Sequence, residues 1–367
     1  MSVWTPAQIP WTLIAAPLAA AEDAVARLDE RLSRSPIRDG WIARTHFSDA
    51  RDSLWLAGEL VDLEDLVLHN ERMDVRVPTH EITLAHAVFR ARRRILDADP
   101  DWALSMAGLD ALRGRAPGGK ADGQGRGRGE SSQDDNWDPP PSCSEETDGF
   151  DLADEFAALD AAVARSRQFL FSMTPARDPF VYDPDWDEDG KLEDWREAVR
   201  QTDDLPSILA AAIALEAWEA ISPIQHSSWL GRQLAAALVR RRKKARAHLP
   251  CLNIGMRTLP RERRRARDRE ARLVAFVESF AAAALKGMED HDRWLLARRQ
   301  LERKLAGRRS TSKLPVLIDL VMARPVVSTG MVAKALSVTP RAAQDLVAEL
   351  GLRETTGKGR YRAWGVL

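Results

Sequence analysis

The chain has 367 residues, 44% of them hydrophobic and 30% charged, with a formal net charge of −1 at neutral pH. This composition is typical of a soluble globular protein, and the length excludes a single small core and predicts two or three domains. The small net charge conceals a local asymmetry, because residues 232–272 carry fifteen Lys or Arg against three acids, whereas residues 178–204 are rich in acids. Local charge, not net charge, therefore indicates the partners.

The two cysteines, Cys143 and Cys251, lie far apart in the sequence. They form neither a disulfide framework nor a Cys-x-x-Cys metal site, which fits a reducing compartment, and we predict no metal and no cofactor. The apolar run "LIAAPLAAA" is short and is followed at once by Glu22 and Asp23. It predicts neither a signal peptide nor a membrane span, so we expect a cytoplasmic protein.

Composition divides the chain into four regions. Residues 113–149 consist mostly of Gly, Pro, Ser and charged residues, which cannot bury enough apolar surface to order them. We predict a disordered linker there; its Gly-Arg repeats also allow weak nucleic-acid affinity, but a spacer is the favoured interpretation. The linker separates an N-terminal helical region, 1–112, from a second helical domain, 150–309, and a C-terminal domain, 313–367.

Apolar residues at helical spacing predict a bundle on both sides of the linker. One interruption is "FVYDPDWDEDGKLEDW", in which Asp189-Gly190 suits a tight turn between aromatic and aliphatic residues. We predict a small β-hairpin at that point. The segments predicted as helices are "AAEDAVARLDERLSRS", "ITLAHAVFRARRRIL", "FDLADEFAALDAAVARSRQFLF", "LPSILAAAIALEAWEAI", "LGRQLAAALVRRRKKARAHL" and "EARLVAFVESFAAAALKGM".

The last 55 residues contain the strongest local pattern in the chain. The segments "KLPVLIDLVMARP", "STGMVAKALS" and "TPRAAQDLVAELG" predict three helices, with Ser328 and Thr339 as N-caps, Pro340 in the first turn of the third helix and Gly351 after its end. Only three residues, 337–339, separate the second and third helices. This spacing predicts a helix-turn-helix.

Two short strands around a Gly-Lys-Gly turn follow in "LRETTGKGRYRAW", which is typical of a winged variant. A recognition helix contacts bases from its exposed first turns, so Arg341 and Gln344 are the predicted base contacts, with Arg suited to guanine and Gln to adenine. A winged helix can also dock proteins, and Asp345 and Glu349 count modestly against DNA. The other predicted DNA contacts are Ser328, Thr329 and Thr339 at the helix starts and Lys358, Arg360 and Arg362 in the wing.

In the middle of the chain, "EAWEAISPIQHSSWLGRQLAAALV" resembles the active-site region of Fic-domain proteins, which transfer AMP or a related phosphate-containing group from a nucleotide to a hydroxyl. In that family an aromatic-Glu-x-Ile helix end leads to a His-Pro-Phe loop, a Gly-Asn-Gly-Arg phosphate turn and a Gly-Arg helix start. Trp218-Glu219-Ala220-Ile221 matches the helix end, Pro223 matches the loop, and Gly231-Arg232 matches the helix start. The resemblance implies a Fic-like helical body.

The residues that carry the family's chemistry differ. Ser222 stands at the position of the catalytic histidine, and a serine without a base beside it cannot accept the proton of an attacking hydroxyl. Trp229 replaces an arginine that would neutralise phosphate charge. His226 is the remaining candidate base, although a single loop histidine is more often a surface or hydrogen-bonded residue. We therefore expect a catalytically inactive body, with Ser222, Pro223, His226, Trp229 and Arg232 marking the altered loop.

The segment "SLWLAGELVDLEDLVL" is similar to the Fic inhibitory helix, which has a Ser-x-x-x-Glu-Gly motif. Ser53 and Gly58 match that motif, but Ala57 occupies the glutamate position. The resemblance thus implies that both the inhibitor and the active site are altered. Several Fic proteins also end in a winged helix.

Nearly the full length, including "EDAVARLDERL", "RDGWIAR" and "LEDLVLH", also resembles a group of proteins from rhizobia and related proteobacteria that are often plasmid-borne. These proteins place a helix-turn-helix after a domain of unknown function. The resemblance implies a regulatory or other DNA-binding role.

The basic segments "LVRRRKKARAHL" and "LPRERRRARDREARL" have three interpretations. A solvated helix surface is the default for a run of charges. The two segments can also form a patch for DNA phosphates or pair with the acidic residues 183–194.

The fold class predicted from these patterns is mainly α: a helical Fic-like bundle with a small β-hairpin, followed by a C-terminal winged helix-turn-helix. The favoured function is a sequence-specific regulator that binds double-stranded DNA as a homodimer, with the body used for dimerisation or for sensing a small effector. The alternatives are a divergent Fic-type nucleotidyltransferase that uses His226 and a protein-interaction or toxin–antitoxin component.

Overall fold

In the computed structural model, the described residues are 8–72, 77–114, 183, 185–225, 227–305, 313–355 and 362–366. Cys143, the predicted linker 113–149 (apart from its first two residues) and the helix predicted at "FDLADEFAALDAAVARSRQFLF" lie outside them. The described chain is mainly helical, which confirms the predicted fold class. Its helices are α1 Trp11–Ser33, α2 Arg38–Ala57, α3 Leu63–Asn70, α4 His80–Asp97, α5 Met106–Leu112, α6 Glu188–Arg200, α7 Ser207–Ile221, α8 Ser228–Arg241, α9 Leu252–Thr258, α10 Arg261–Arg264, α11 Arg269–Arg303, α12 Leu314–Ala323, α13 Thr329–Leu336 and α14 Pro340–Leu350, with a 3-10 turn at Trp102–Leu104.

The chain divides into two units, of which the first comprises Met1–Leu112 and Asp187–Leu367. The second unit, Arg113–Trp186, lies almost wholly outside the described residues. The first unit therefore contains both the helical body and the C-terminal helix-turn-helix.

Two helices form the centre of the body. Every residue from Ile208 to Trp218 in α7 is buried, and so is every residue from Leu230 to Val239 in α8. A helix that is apolar on all sides is stable only when neighbours cover it on all sides. The long helix α11 and the amphipathic helix α1 pack together along one flank and also contact α7. The sequence patterns that predicted α1, α4, α7 and α11 are confirmed.

The predicted β-hairpin at residues 180–195 is wrong where the chain is described. Asp187 caps helix α6, and its Oδ1 accepts a hydrogen bond from the Gly190 backbone N at 2.9 Å. Asp189-Gly190 therefore lies in the first helical turn, where a capping aspartate satisfies a backbone donor that would otherwise have no partner. Leu192, Trp195 and Val199 are buried at helical spacing. The packing of this apolar face against α7, not the turn propensity of Asp-Gly, decided the structure.

Helix α8 is shorter than its sequence suggested and ends at Arg241. The Arg242 guanidinium donates hydrogen bonds to the backbone carbonyls of Leu205 at 2.7 Å and Thr202 at 2.8 Å. Lys243 adopts a left-handed conformation with φ 59°. These carbonyl contacts fix the chain as it leaves the helix, so the second half of "LVRRRKKARAHL" is not helical.

The C-terminal region is a winged helix-turn-helix, as predicted. Strands β1 Val327–Ser328, β2 Arg353–Glu354 and β3 Ala363–Gly365 form an antiparallel sheet in the order β1-β3-β2, with Val327 opposite Trp364 and Arg353 opposite Gly365. Both predicted N-caps are present, because Ser328 Oγ accepts from Met331 N and Thr339 Oγ1 accepts from Ala342 N, each at 3.3 Å. Gly351 ends α14 with φ 63°, a conformation that favours glycine.

The winged helix shares its hydrophobic core with the body. Leu317, Val321 and Val332 belong to the same buried cluster as Trp41 and Phe280. Gly40 of α2 lies against the end of α12 so closely that a Cβ at this position would lie 2.5 Å from the Met322 carbonyl oxygen. The absence of a side chain at residue 40 thus permits the close approach of α2 and α12.

One buried arginine, Arg44 of α2, connects the body to the winged helix. Its guanidinium donates hydrogen bonds to the backbone carbonyls of Met322 at 3.0 Å, Arg324 at 2.7 Å and Val366 at 3.0 Å, and also to that of Val321. We call this set of contacts the Arg44 junction. Val321 and Met322 are in the last turn of α12, where carbonyls lack helical partners and the helix dipole is negative.

Two further cations hold the recognition helix and α12 to α11. Lys304 Nζ donates to the Leu350 carbonyl at 2.6 Å, at the end of α14. Arg298 Nη2 bonds to Asp319 of α12 at 2.8 Å. The winged helix is therefore attached at the end of α14 and in the middle of α12.

Replacing Arg44 with Leu should lower the free energy of unfolding by about 3 kcal/mol or more, because it leaves several buried carbonyls without donors at about 1–3 kcal/mol each. Arg44→Lys should recover part of this loss, since an ammonium has fewer donors. Urea denaturation, monitored by tryptophan fluorescence, measures the free energy of unfolding of both variants. The control is Arg90→Leu at an exposed position of α4, expected to stay within about 0.5 kcal/mol of the parent. A loss of under about 1 kcal/mol in Arg44→Leu would contradict the role of the junction.

Candidate nucleic-acid interface and interhelical loop

The recognition helix α14 separates a buried face from an exposed one. Ala343, Val347 and Leu350 are buried and pack into the shared core. Arg341 and Gln344, the two predicted base contacts, both lie on the exposed face. The structure thus brings these two side chains to one surface in the first turns of the helix.

Arg341 has an acidic neighbour on the same face. Its side chain is 85% exposed, and its Nε lies 3.8 Å from Asp345 Oδ1, one helical turn away. This separation exceeds hydrogen-bond distance, and an exposed pair of this kind contributes little to stability. The Arg341 guanidinium can therefore leave Asp345 and bind a group with which it forms stronger hydrogen bonds.

The three predicted helix-start contacts differ in exposure. Thr339 is exposed and Thr329, the first residue of α13, is half-buried. Ser328, by contrast, is 8% exposed, and its hydroxyl accepts the capping hydrogen bond from Met331 N. The Ser328 side chain therefore serves the fold of the winged helix, and a DNA contact from it stays a prediction.

Of the three predicted wing cations, only Arg362 is described, because Lys358 and Arg360 lie outside the described residues. Arg362 is 51% exposed and makes two hydrogen bonds to Glu354 Oε2 across the sheet, from Nη2 at 2.6 Å and from Nε at 2.9 Å. These hydrogen bonds lower the pKa of the Glu354 carboxyl below its usual value. Arg362 thus neutralises an acid inside the wing, which reduces the positive charge that the wing presents.

The interhelical loop comprises residues 222–227 between α7 and α8, and its described residues, 222–225 and 227, form a turn. Ser222 has a left-handed conformation with φ 48°, and its Oγ donates to the Glu219 carbonyl at 3.2 Å. Pro223 and Ile224 are buried. Trp229, just beyond the loop, packs against two of the hydrophobic clusters. His226, the candidate base, lies outside the described residues.

Two residues that the Fic resemblance singled out in separate segments meet in the structure. Arg232 is 8% exposed, and its guanidinium donates to Ser53 Oγ at 3.1 Å and to Asn253 Oδ1 at 2.5 Å. Burial lowers the pKa of Arg232 below its usual value. Ala57 and Gly58 are exposed one turn further along α2, and Gly58 ends the helix with φ 98°. Arg232 is therefore part of a buried hydrogen-bond network.

That network continues through a buried ion pair. Asp49 accepts from Arg92 Nη1 and from Asn253 Nδ2, each at 2.7 Å, and from the Ile254 backbone N at 3.2 Å. Arg92 also donates to Gln233 Oε1 at 3.1 Å. Further hydrogen bonds stabilise a buried ion pair, and Arg92 also donates to the backbone carbonyls of Pro250 and Leu249, each at 3.3 Å, although its Nε has no partner among the described residues. Sequence patterns did not single out Asp49, Arg92 or Asn253, since each is one polar residue in a helical segment.

Among the described residues, no three or more His, Cys, Asp or Glu side chains come together in a way that could hold a metal ion. No helix in the described ranges has both the length and the apolar character that crossing a bilayer requires.

Comparison with known proteins gives matches for the helical body and for the C-terminal helix-turn-helix. A family model described as a helix-turn-helix DNA-binding domain matches residues 314–367, and a model for a protein family of unknown function, DUF1612, matches residues 180–306. The chain is also 47% identical over 380 residues to the uncharacterized protein y4cF of Sinorhizobium fredii, covering 98% of this chain and 99% of that protein. The chain belongs to the y4cF family. Its last 54 residues are a helix-turn-helix DNA-binding domain.

Among solved structures, the chain is similar to a Fic family protein from Desulfovibrio desulfuricans. The sequence identity is 15%, the TM-score is 0.46, and the match covers 99% of this chain and 97% of that protein. A similarity of this degree transfers no function.

The contact between Arg232 and Ser53 can be measured in a double-mutant cycle. We expect Arg232→Met to lower the free energy of unfolding by about 3 kcal/mol and Ser53→Ala by about 1 kcal/mol, with a coupling energy of about 1 kcal/mol. The control is Arg241→Met, at an exposed position near the end of α8. It should change the free energy of unfolding by no more than about 0.5 kcal/mol. The contact would be contradicted if the loss in the double variant equalled the sum of the two single losses within about 0.3 kcal/mol.

Proposed function

We propose that this protein is a sequence-specific double-stranded DNA-binding protein of the cytoplasm and acts as a transcriptional regulator. The observation that carries the proposal is the surface of α14, where exposed Arg341 and Gln344 project from a helix whose opposite face is anchored in the core. A helix presented in this way fits the major groove. The family match of residues 314–367 to a DNA-binding domain supports it.

The two side chains suit base readout by their hydrogen-bonding groups. A guanidinium can donate two parallel hydrogen bonds to guanine O6 and N7, and a Gln amide can pair with adenine N6 and N7. Each such pair typically contributes about 1–3 kcal/mol of discrimination against the wrong base. Thr329 and Thr339 at the helix starts, together with Lys358, Arg360 and Arg362, are proposed contacts to the phosphate backbone.

The contacts between the winged helix and the body suggest a role for the body in DNA binding. Lys304 and the Arg44 junction hold both helix ends, so the orientation of α14 follows that of the body. In a homodimer the bodies would therefore determine the spacing of the two recognition helices, which must match half-sites about one DNA turn apart. We propose a homodimer formed through the body.

We further propose that the body does not catalyse nucleotidyl transfer. The support is local: the Ser222 hydroxyl is bonded to a backbone carbonyl, and the Arg232 guanidinium is buried against Asn253 and Ser53. A phosphate would have to displace the buried hydrogen bonds from Arg232 to Asn253 and Ser53 before it could bind the guanidinium.

The first test is selection of binding sites from a random duplex pool by the full-length protein at near-physiological salt. We expect one enriched motif with two half-sites, and Arg341→Ala combined with Gln344→Ala should remove the sequence preference while keeping weak general affinity. Arg299→Ala, an exposed arginine of α11, is the control and should retain the motif. Unchanged preference in the double variant would overturn the base-contact assignment, and no enrichment with the parent would overturn the proposed function.

Lys358→Ala should have a different effect from the base-contact variants. Because a phosphate contact carries no sequence information, we expect weaker binding to all duplexes and a decrease of about one in the slope of log affinity against log salt. Fluorescence anisotropy across a salt series measures both. A loss confined to the selected motif would contradict the phosphate role.

Asp345→Asn should strengthen DNA binding. The substitution removes a carboxylate that lies 3.8 Å from the Arg341 Nε. It also removes a negative charge from the surface that would face the DNA phosphates. We expect affinity for the selected site to rise about threefold to tenfold at low salt and less at high salt. Lower affinity in Asp345→Asn would indicate that the carboxylate itself contacts a base.

A further inference from the structure

A cavity of about 490 Å³ lies where the body meets the winged helix. Helices α2, α9 and α11 contribute Arg44, Ile254 and Trp294 to its wall, and the winged helix contributes Pro325 and Val366. We call it the junction cavity. Its size is in the range of small-molecule sites, and both parts of the protein line it.

The junction cavity carries an excess of positive charge. Five cationic side chains line it, against two carboxylates: Arg44, Arg51, Arg257, Lys286 and Arg293, against Asp52 and Asp290. A surface with this excess attracts anions.

Each carboxylate is shared by two cations. Asp52 bonds to Arg51 at 2.9 Å and to Arg257 at 2.6 Å, and Asp290 bonds to Lys286 at 3.1 Å and to Arg293 at 3.0 Å. Each group of three therefore keeps one uncompensated positive charge toward the cavity.

A further acid, Glu289, lies 3.4 Å from Lys286, but it does not line the cavity and is 71% exposed. Solvent screens a charge at that exposure strongly. The positive excess inside the cavity therefore remains.

Arg44 experiences this excess directly. Its guanidinium bonds to four backbone carbonyls and lies 5.2 Å from the centre of the Trp294 ring. Burial, together with the nearby positive charge of Arg293, lowers the pKa of Arg44 to about 10. Arg44 stays charged at neutral pH, and an anion beside it would relieve the repulsion between the two guanidinium groups.

We propose that the junction cavity is a binding site for a small organic dianion with a compact apolar body, either a phosphate monoester or a dicarboxylate. Arg293 and Lys286 would bind the anionic group, because they are half-exposed and have donors beyond their bonds to Asp290. Trp294, Pro325 and Val366 would contact the apolar part. Thr258 adds a hydroxyl to the same wall.

Because both the body and the winged helix line the junction cavity, a bound ligand would regulate DNA binding. This consequence rests on the proposed DNA-binding function. A ligand that contacts both walls binds only when the winged helix is docked on the body, so it stabilises the docked arrangement. Because the Arg44 junction is part of the same wall, the ligand acts directly on the contacts that orient α14.

The test uses the full-length protein and phenyl phosphate as the probe, with succinate, inorganic phosphate and the uncharged benzyl alcohol compared at matched ionic strength. Calorimetry should show saturable binding of one phenyl phosphate per chain and none of benzyl alcohol. Saturation by succinate in place of phenyl phosphate would assign the dicarboxylate class. No saturable binding of any dianion at 10 mM, or equal binding of inorganic phosphate, would overturn the proposed ligand class.

Variants then locate the site. Arg293→Gln and Lys286→Gln should each weaken binding at least about tenfold, because each removes a charge-assisted hydrogen bond. Arg299→Gln on the same helix removes an equal charge outside the cavity and should leave binding unchanged. Equal weakening by all three variants would show a general charge effect and overturn the site.

Hydrogen exchange measures the proposed coupling. Saturating probe should slow exchange of the Val326 and Val327 amides at least fivefold in the parent and not in Arg293→Gln. An unchanged rate with bound probe would overturn the stabilisation of docking.

The failure of this inference and that of the proposed function are separable. Selective DNA binding without dianion binding overturns only the junction site. Dianion binding that Arg293→Gln removes, in a protein with no DNA selectivity, overturns only the proposed function.

Discussion

The attachment of the winged helix to the body centres on one buried guanidinium. Among the described residues, Arg44 hydrogen-bonds to no carboxylate, and four carbonyl oxygens and the face of Trp294 lie around its charge instead. Two of those oxygens belong to the last turn of α12, where the helix dipole is negative. The same contacts satisfy carbonyls that the helix itself leaves without partners. A single side chain thus joins two parts of the molecule that are nearly 280 residues apart in the chain.

The centre of the body is organised by a second set of buried polar groups. Asp49, Arg92, Asn253, Arg232 and Ser53 form a continuous series of hydrogen bonds through α2, α4, α8 and α9. Such a network requires each member, because removing one leaves a buried charge or polar atom without a partner. Arg232, which matches the Fic helix start in sequence, is therefore held by internal hydrogen bonds.

The local charge asymmetry in the sequence has a structural explanation at several positions. Arg269 and Arg272 bond to the buried carboxylate of Glu216, and Arg242 bonds to backbone carbonyls at 2.7 and 2.8 Å. Much of the basic tract therefore serves the fold. The cations around the junction cavity differ in position, since five of them line one cavity together with only two carboxylates, and this excess supports the proposed anion site.

The sequence by itself determined the mainly helical architecture, the winged helix-turn-helix and its caps at Ser328, Thr339 and Gly351, because periodicity, capping and turn chemistry are local properties. It also placed Arg341 and Gln344 on one face of α14. Only the tertiary structure decided that Asp189-Gly190 lies in a helix, that Ser53 meets Arg232, and that Arg44 holds the winged helix to the body. These outcomes depend on contacts between distant segments and on the choice between local structures of similar energy. A local sequence pattern contains neither kind of information.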